Sequence, residues 1–236
     1  MTQGTNRRWQ HAALFFILAW TGCGTSTRQV TVSKIENLRS QEALLPLATD
    51  SIVERYRRNS PEEFYRAYTP RIEELRLYVD SLNTYLDPSS MIDTLAIDHT
   101  FENLGTAARI GKTIHLSSSY FFMFDDPTVI RSVVTHEFGH IHYDHLTPFA
   151  LRELADIWEQ MRGSALFYLF RDGEYSGNAR FGGHPDESPE ELFASAFNLF
   201  NNKSEELGAR FRYVDQVHLE LVERLRDIVH STGSSR

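Results

Sequence analysis

The chain has 236 residues, of which 41% are hydrophobic and 24% charged; that apolar content excludes intrinsic disorder, and the length is enough to bury one ordinary core. Its formal net charge of −8 argues against nucleic acid or an anionic membrane surface as the partner, because either would be approached against repulsion. Acidity alone identifies no substrate.

Arg7 and Arg8 precede the apolar run AALFFILAW at 12–20, and Thr21, Gly22 and Cys23 follow it. A basic start, a short apolar stretch and small residues predict a signal peptide over 1–22, since the run is too short to span a bilayer comfortably. Cys23 is the only cysteine, so it has no internal disulfide partner. The segment resembles a bacterial lipoprotein signal, in which Cys23 becomes the lipidated first residue of the mature protein; Trp20 departs from it, standing where such signals usually have leucine. The resemblance implies an extracytoplasmic protein lipid-anchored to the cell envelope, in the outer membrane of a Gram-negative host because Gly24 follows the cysteine. Cleavage without lipidation would give a secreted protein.

Residues 23–32 are small, polar and β-branched, as expected of a tether. A helical amino-terminal part is predicted over 33–90, interrupted at Pro46 and restarted by Ser60 as cap and Pro61 at the first helical position. Ile72, Leu75, Val79, Leu82 and Leu86 then recur every three or four residues, the apolar stripe of an amphipathic helix. The remaining domain, 91–230, opens with short apolar runs at 94–97, 107–110 and 113–116, predicting a small sheet; Gly111 and Lys112 suit a two-residue hairpin turn. Asp126 as cap and Pro127 begin a helix to about His145, and Thr147 and Pro148 begin another to about Met161. A polar stretch with four glycines at 171–187 predicts a long loop. A capped helix at 188–200 and an amphipathic helix at 213–230 close an α+β fold that is mostly helical.

Chemistry concentrates in RSVVTHEFGHIHYDHL at 131–146. Helical rotation groups Ile130, Val134, Phe138 and Ile141 as a core stripe and sets His136, His140 and Tyr143 on an adjoining face. Two imidazoles one turn apart can share an ion, and zinc accepts neutral imidazole nitrogen. Glu137 lies beside the first histidine, placed to act as base toward a water that the metal activates. A buried carboxylate without a cation is expensive, and a metal-bound water beside it would supply the reason for Glu137. His142 and His145 point away and read as surface residues, while Asp144 reads as a carboxylate that orients a ligand.

A third protein ligand must come from elsewhere. A further histidine six residues on is excluded, because that position is Leu146. Glu191 in SPEELFASAF is the best candidate, although Ser188, Pro189 and Glu191 also fit a capping box. The same SPEE string occurs at 60–63 with no metal motif nearby, so the string alone proves nothing. Only one of the adjacent Glu190 and Glu191 is expected to face the metal, because neighbouring helical residues diverge.

THEFGHIHYDH followed by EELFASAFNLF resembles the zinc peptidase domain of anthrax-lethal-factor-like proteases, including the secreted Pro-Pro endopeptidases, within the gluzincins. The resemblance covers about 107–205 and implies a zincin-like fold, a Zn2+ cofactor and Glu191, rather than Glu190, as third ligand. A tyrosine seven residues before that glutamate assists catalysis in the family; here His184 stands there and would take its task of hydrogen-bonding the developing oxyanion, with Tyr175 in reserve. Ser195 replaces an acidic residue four positions after Glu191. The strand at Thr113–Ser117 resembles the edge strand on which such enzymes lay an extended peptide.

These residues predict an exported zinc metallopeptidase that takes a peptide or protein substrate and is held to the membrane through Cys23. The alternatives are a non-catalytic zinc-containing envelope lipoprotein that binds a peptide or protein partner, and a zinc amidase acting on cell-wall peptides.

Overall fold

The computed structural model describes residues 29–35, 54, 58–86, 88–99, 107–171, 175–176, 179–180, 184–202, 208–211 and 214–231. The predicted signal peptide and Cys23 lie outside the described residues. No described helix is long and apolar enough to cross a membrane.

The chain is mostly helical around one small mixed sheet of order β1-β2-β4-β3. Strand β1 is Thr31–Ile35, β2 Thr94–Asp98, β3 Ala107–Ile110 and β4 Thr113–Ser117. The first, second and fourth are parallel, and β3 pairs antiparallel with β4. As the sequence predicts, Gly111 turns the β3–β4 hairpin, with φ at +59° where a side chain would be strained. Two expectations are corrected. Residues 31–35, assigned to the end of a tether and the start of a helical part, form a strand instead, because their β-branched residues pair with the apolar β2. Strand β4 is interior rather than an edge, because the hairpin folds β3 across its outer side.

Helix α1 is Pro61–Asn83, and its start is a complete capping box: Ser60 Oγ accepts from the Glu63 amide, and the Glu63 carboxylate accepts from the Ser60 amide. Its stripe Ile72, Leu75 and Val79 is buried as predicted. At its end the Asn83 side-chain amide donates to the Ile92 carbonyl and its oxygen accepts from the Ile92 amide, both at 2.8 Å, which ties the helix to the approach of β2. Phe64, Ile72 and Val79 share a core with Leu95, Ile97, Ile114 and Leu116 of the sheet and with Ile130, Val134, Phe138 and Ile141. Helix α1 is therefore built into the core that supports the helix carrying His136 and His140.

The short helix α2, Ser119–Met123, leads to α3, Pro127–Asp144. Helix α4 is Pro148–Met161, a 3-10 turn follows at Ala165–Phe170, α5 is Pro189–Asn202 and α6 is Gln216–Ser231. A second core joins Leu154, Ile157, Phe170, Leu192, Phe193, Leu199 and Leu225 across the 3-10 turn, α4, α5 and α6. Within the predicted long loop, two-residue strands β5, Tyr175–Ser176, and β6, Ala179–Arg180, pair with each other. Helices α3 and α5 lie against each other where the two cores meet, and the histidines and Glu191 are at that junction.

Candidate metal centre

The start of α3 is set by Asp126, whose carboxylate accepts from the Thr128 amide at 2.8 Å, followed by Pro127 at the first helical position. A polar ladder fixes its register against α5: Asn198 Nδ2 donates to Ser132 Oγ at 2.7 Å, and Asn202 Nδ2 donates to Thr135 Oγ1 at 2.8 Å. Tyr78 of α1 adds a 2.7 Å hydroxyl contact to Thr135. Between these rungs and the site, Gly139 lets α5 approach so closely that an added Cβ would stand 2.6 Å from Ala194 Cα.

This packing aims His136, Glu137 and His140 at the first turn of α5. His136 and Glu137 are buried, and the two imidazoles stand nearly perpendicular, with centroids 5.1 Å apart. Glu191 Oε2 is 3.3 Å from His136 Nε2, and Glu191 Oε1 is 3.6 Å from His140 Nε2. One ligand atom from each of the three residues lies within 4.8 Å of the others, so His136, His140 and Glu191 can hold a metal ion.

The two SPEE strings now separate. Ser188 caps α5 by accepting from the Glu191 amide at 3.1 Å, but the Glu191 side chain turns to the imidazoles, whereas Glu63 turns back to its own cap. Burial alone would raise the Glu191 carboxyl; a hydrogen bond with His136, the charge of both imidazoles and the backbone N–H of His184 together hold it below its ordinary value. Glu137 goes the other way. Burial raises its carboxyl, and the Glu191 charge adds to that, against the imidazoles and a hydrogen bond from the Arg109 backbone.

Two expectations change in detail. Asp144 pairs with the Arg109 guanidinium at the end of β3, and the carboxylate on a histidine is instead Glu190, whose Oε1 is 2.8 Å from His140 Nδ1. Adjacent Glu190 and Glu191 both reach His140, whose ring lies across the opening turn of α5, but on opposite ring nitrogens, and of the two only Glu191 joins the group that can hold an ion. His142 is buried rather than on the surface: it stacks on Phe197 of α5 with centroids 4.6 Å apart, and burial pushes its imidazole down to about 4. His145 behaves as expected, exposed and touching Ser90.

His184 lies at the approach to α5, with Nδ1 3.4 Å from Glu187 and its backbone N–H on Glu191. Tyr175 belongs to β5, and its side chain lies outside the described residues. Ser195 is fully buried, and among the described residues its hydroxyl has no hydrogen-bond partner. Nothing in the local sequence marked Arg109 or Gly139, whose contacts are with elements far away in the chain. Glu190 had a signal, its place in the same helical turn as Glu191, but divergence along a helix argued against it.

A scan of family models, a search of curated proteins and a search of solved structures each found no match for the chain.

Proposed function

We propose that the chain is a zinc-dependent peptidase with a zincin-like active site, in which His136, His140 and Glu191 hold the ion and Glu137 is the general base. The observation that carries this reading is the convergence of both Nε2 atoms on the two Glu191 oxygens at 3.3 and 3.6 Å. Ligand atoms about 2.0–2.1 Å from a tetrahedral zinc stand about 3.4 Å from one another. The donor set of two imidazoles and one carboxylate is a catalytic one that leaves a position open.

When bound, zinc supplies Lewis acidity toward a carbonyl and a water at neutral pH. The protein supplies the rest. Glu137 is raised by burial and steadied by the Arg109 amide, so it can take a proton and later return it. Among the described residues, strand β3 is the edge of the sheet that lies beside α3. In a hairpin closed by the pair Ile110 and Thr113, Ala107 and Arg109 direct their backbone groups outward; the Arg109 N–H is taken by Glu137, and the remaining groups suit an extended peptide laid along that edge. Export and anchoring through Cys23 belong to the same reading and rest on the amino-terminal sequence.

The test is metal analysis of the purified protein together with digestion of a diverse peptide library. Stoichiometric zinc, with cleavage lost on chelation and restored by zinc, supports the peptidase. Zinc without cleavage favours the binding lipoprotein, and absence of zinc from a folded protein overturns the site.

A further inference from the structure

His140 is gripped at both ring nitrogens by consecutive carboxylates. Glu191 Oε1 faces Nε2 at 3.6 Å, and Glu190 Oε1 faces Nδ1 at 2.8 Å. Among the described residues, His140 is the hydrogen-bonding partner of the Glu190 side chain. That side chain is 44% exposed, so water was open to it and it nevertheless lies on the imidazole. A first-turn acid would also favour the amino terminus of α5 while pointing outward, so the helix dipole does not explain the contact.

A neutral imidazole carries one proton, and the nitrogen without it is the one that can ligate. A carboxylate accepts only, and 2.8 Å is the length of a charge-assisted bond to an N–H donor. Glu190 beside Nδ1 therefore selects the form protonated there, which leaves the Nε2 lone pair directed at Glu191 and His136. The contact also fixes the ring's rotation. From this geometry we propose that Glu190 is a positioning residue, holding His140 in its ligating tautomer and orientation. The proposal rests on the metal-site reading above.

The experiment compares zinc affinity, by chelator competition, in wild type, Glu190→Gln, Glu190→Ala and Glu190→Asp. It adds the visible absorption of the cobalt(II)-loaded proteins and imidazole nitrogen NMR of the zinc-loaded ones. Glu190→Gln and Glu190→Ala should lose about 10–100-fold in zinc affinity, shift the cobalt bands and weaken the His140 Nδ1–H signal. Glu190→Asp, which keeps the charge on a shorter arm, should recover part of each change. Glutamine is isosteric on a half-exposed position, so its metal-free melting temperature should stay near wild type. Wild-type affinity in both Glu190→Gln and Glu190→Ala would overturn the proposal and leave the metal site standing. Lost affinity with unchanged cobalt bands and an unchanged His140 signal would also overturn it, since a bulk charge effect predicts that pattern. A wild-type protein that binds no zinc overturns the metal site and this inference together.

Discussion

Gly139 and Ala194 touch backbone to backbone: a Cβ on the glycine would meet Ala194 Cα at 2.6 Å, Ala194 Cβ at 3.1 Å and its carbonyl oxygen at 3.1 Å. None of these atoms is the end of a flexible side chain, so the helices themselves would have to separate. Gly139 precedes His140 and Ala194 lies three residues after Glu191, so separation pulls those two side chains apart. Gly139→Ala should therefore cost about 1–3 kcal/mol despite alanine's better helix propensity. Zinc affinity should fall with it. Thermal unfolding of the metal-free protein and chelator competition check the two halves separately, and an unshifted melting temperature would contradict the close approach.

The paired SPEE strings make an internal control. Glu63→Ala breaks a complete capping box and should slightly lower the melting temperature while leaving zinc content unchanged. Glu191→Ala leaves Ser188 on its amide and removes the carboxylate from both imidazoles, so zinc binding should collapse with little change in the metal-free fold. Matching effects of the two substitutions would mean that Glu191 is only a cap.

What the sequence made legible was local. Caps at Ser60, Asp126 and Thr147, the stripe Ile130 to Ile141 and the hairpin at Gly111 each follow from a few neighbouring residues, and all are present. His136 and His140 converge because helical rotation fixes them, and Glu191 joined them through a likeness to a family pattern. The misjudged features depend on tertiary neighbours. His142 has a polar side chain on the flank of an apolar stripe, and only the packing of Phe197 shows that it is inside. Asp144 was near the right face, but Arg109 arrives from β3 to claim it. Beyond that hairpin the strand order could not be read, since parallel pairing leaves no short-range turn to mark it.

Glu137→Gln preserves shape and removes basicity. The Arg109 amide can still donate to the remaining carbonyl oxygen, so the site should stay assembled and zinc should remain bound. Turnover of a cleaved peptide should drop by about 10²–10⁴-fold. Single-turnover kinetics on the zinc-loaded variant tests this, and near-wild-type hydrolysis would remove Glu137 as the base.

His184 is tied to the site by its backbone rather than its ring, because its N–H bonds the Glu191 carboxylate and its imidazole leans toward Glu187. Side-chain removal should therefore leave zinc content intact. If the ring swings over the open position and hydrogen-bonds the developing oxyanion, His184→Ala should lower kcat by about 10²-fold with little change in KM, and His184→Tyr should recover part of it. Full activity in His184→Ala, with a loss in Tyr175→Phe, would transfer the role to Tyr175.

His142 makes acid stability measurable at a single group. Burial, and then the neighbouring His145, depress its imidazole to about 4 in the folded chain, against 6.5 as its ordinary value. A depressed base is neutral in the fold while the unfolded chain still takes up a proton, so its contribution is fully present above about pH 6.5 and is lost as pH falls toward 4. Between about pH 8 and about pH 5 the wild type should lose about 2 kcal/mol more stability than His142→Phe, which keeps an aromatic ring against Phe197 but binds no proton. Urea unfolding of both proteins at the two pH values, with chelator present so that metal release does not enter, gives the difference directly. Any fixed cost of fitting the phenyl ring cancels, because each protein is compared with itself. Parallel pH profiles would show that His142 titrates alike in the folded and unfolded chains and that its contact with Phe197 does not keep it neutral.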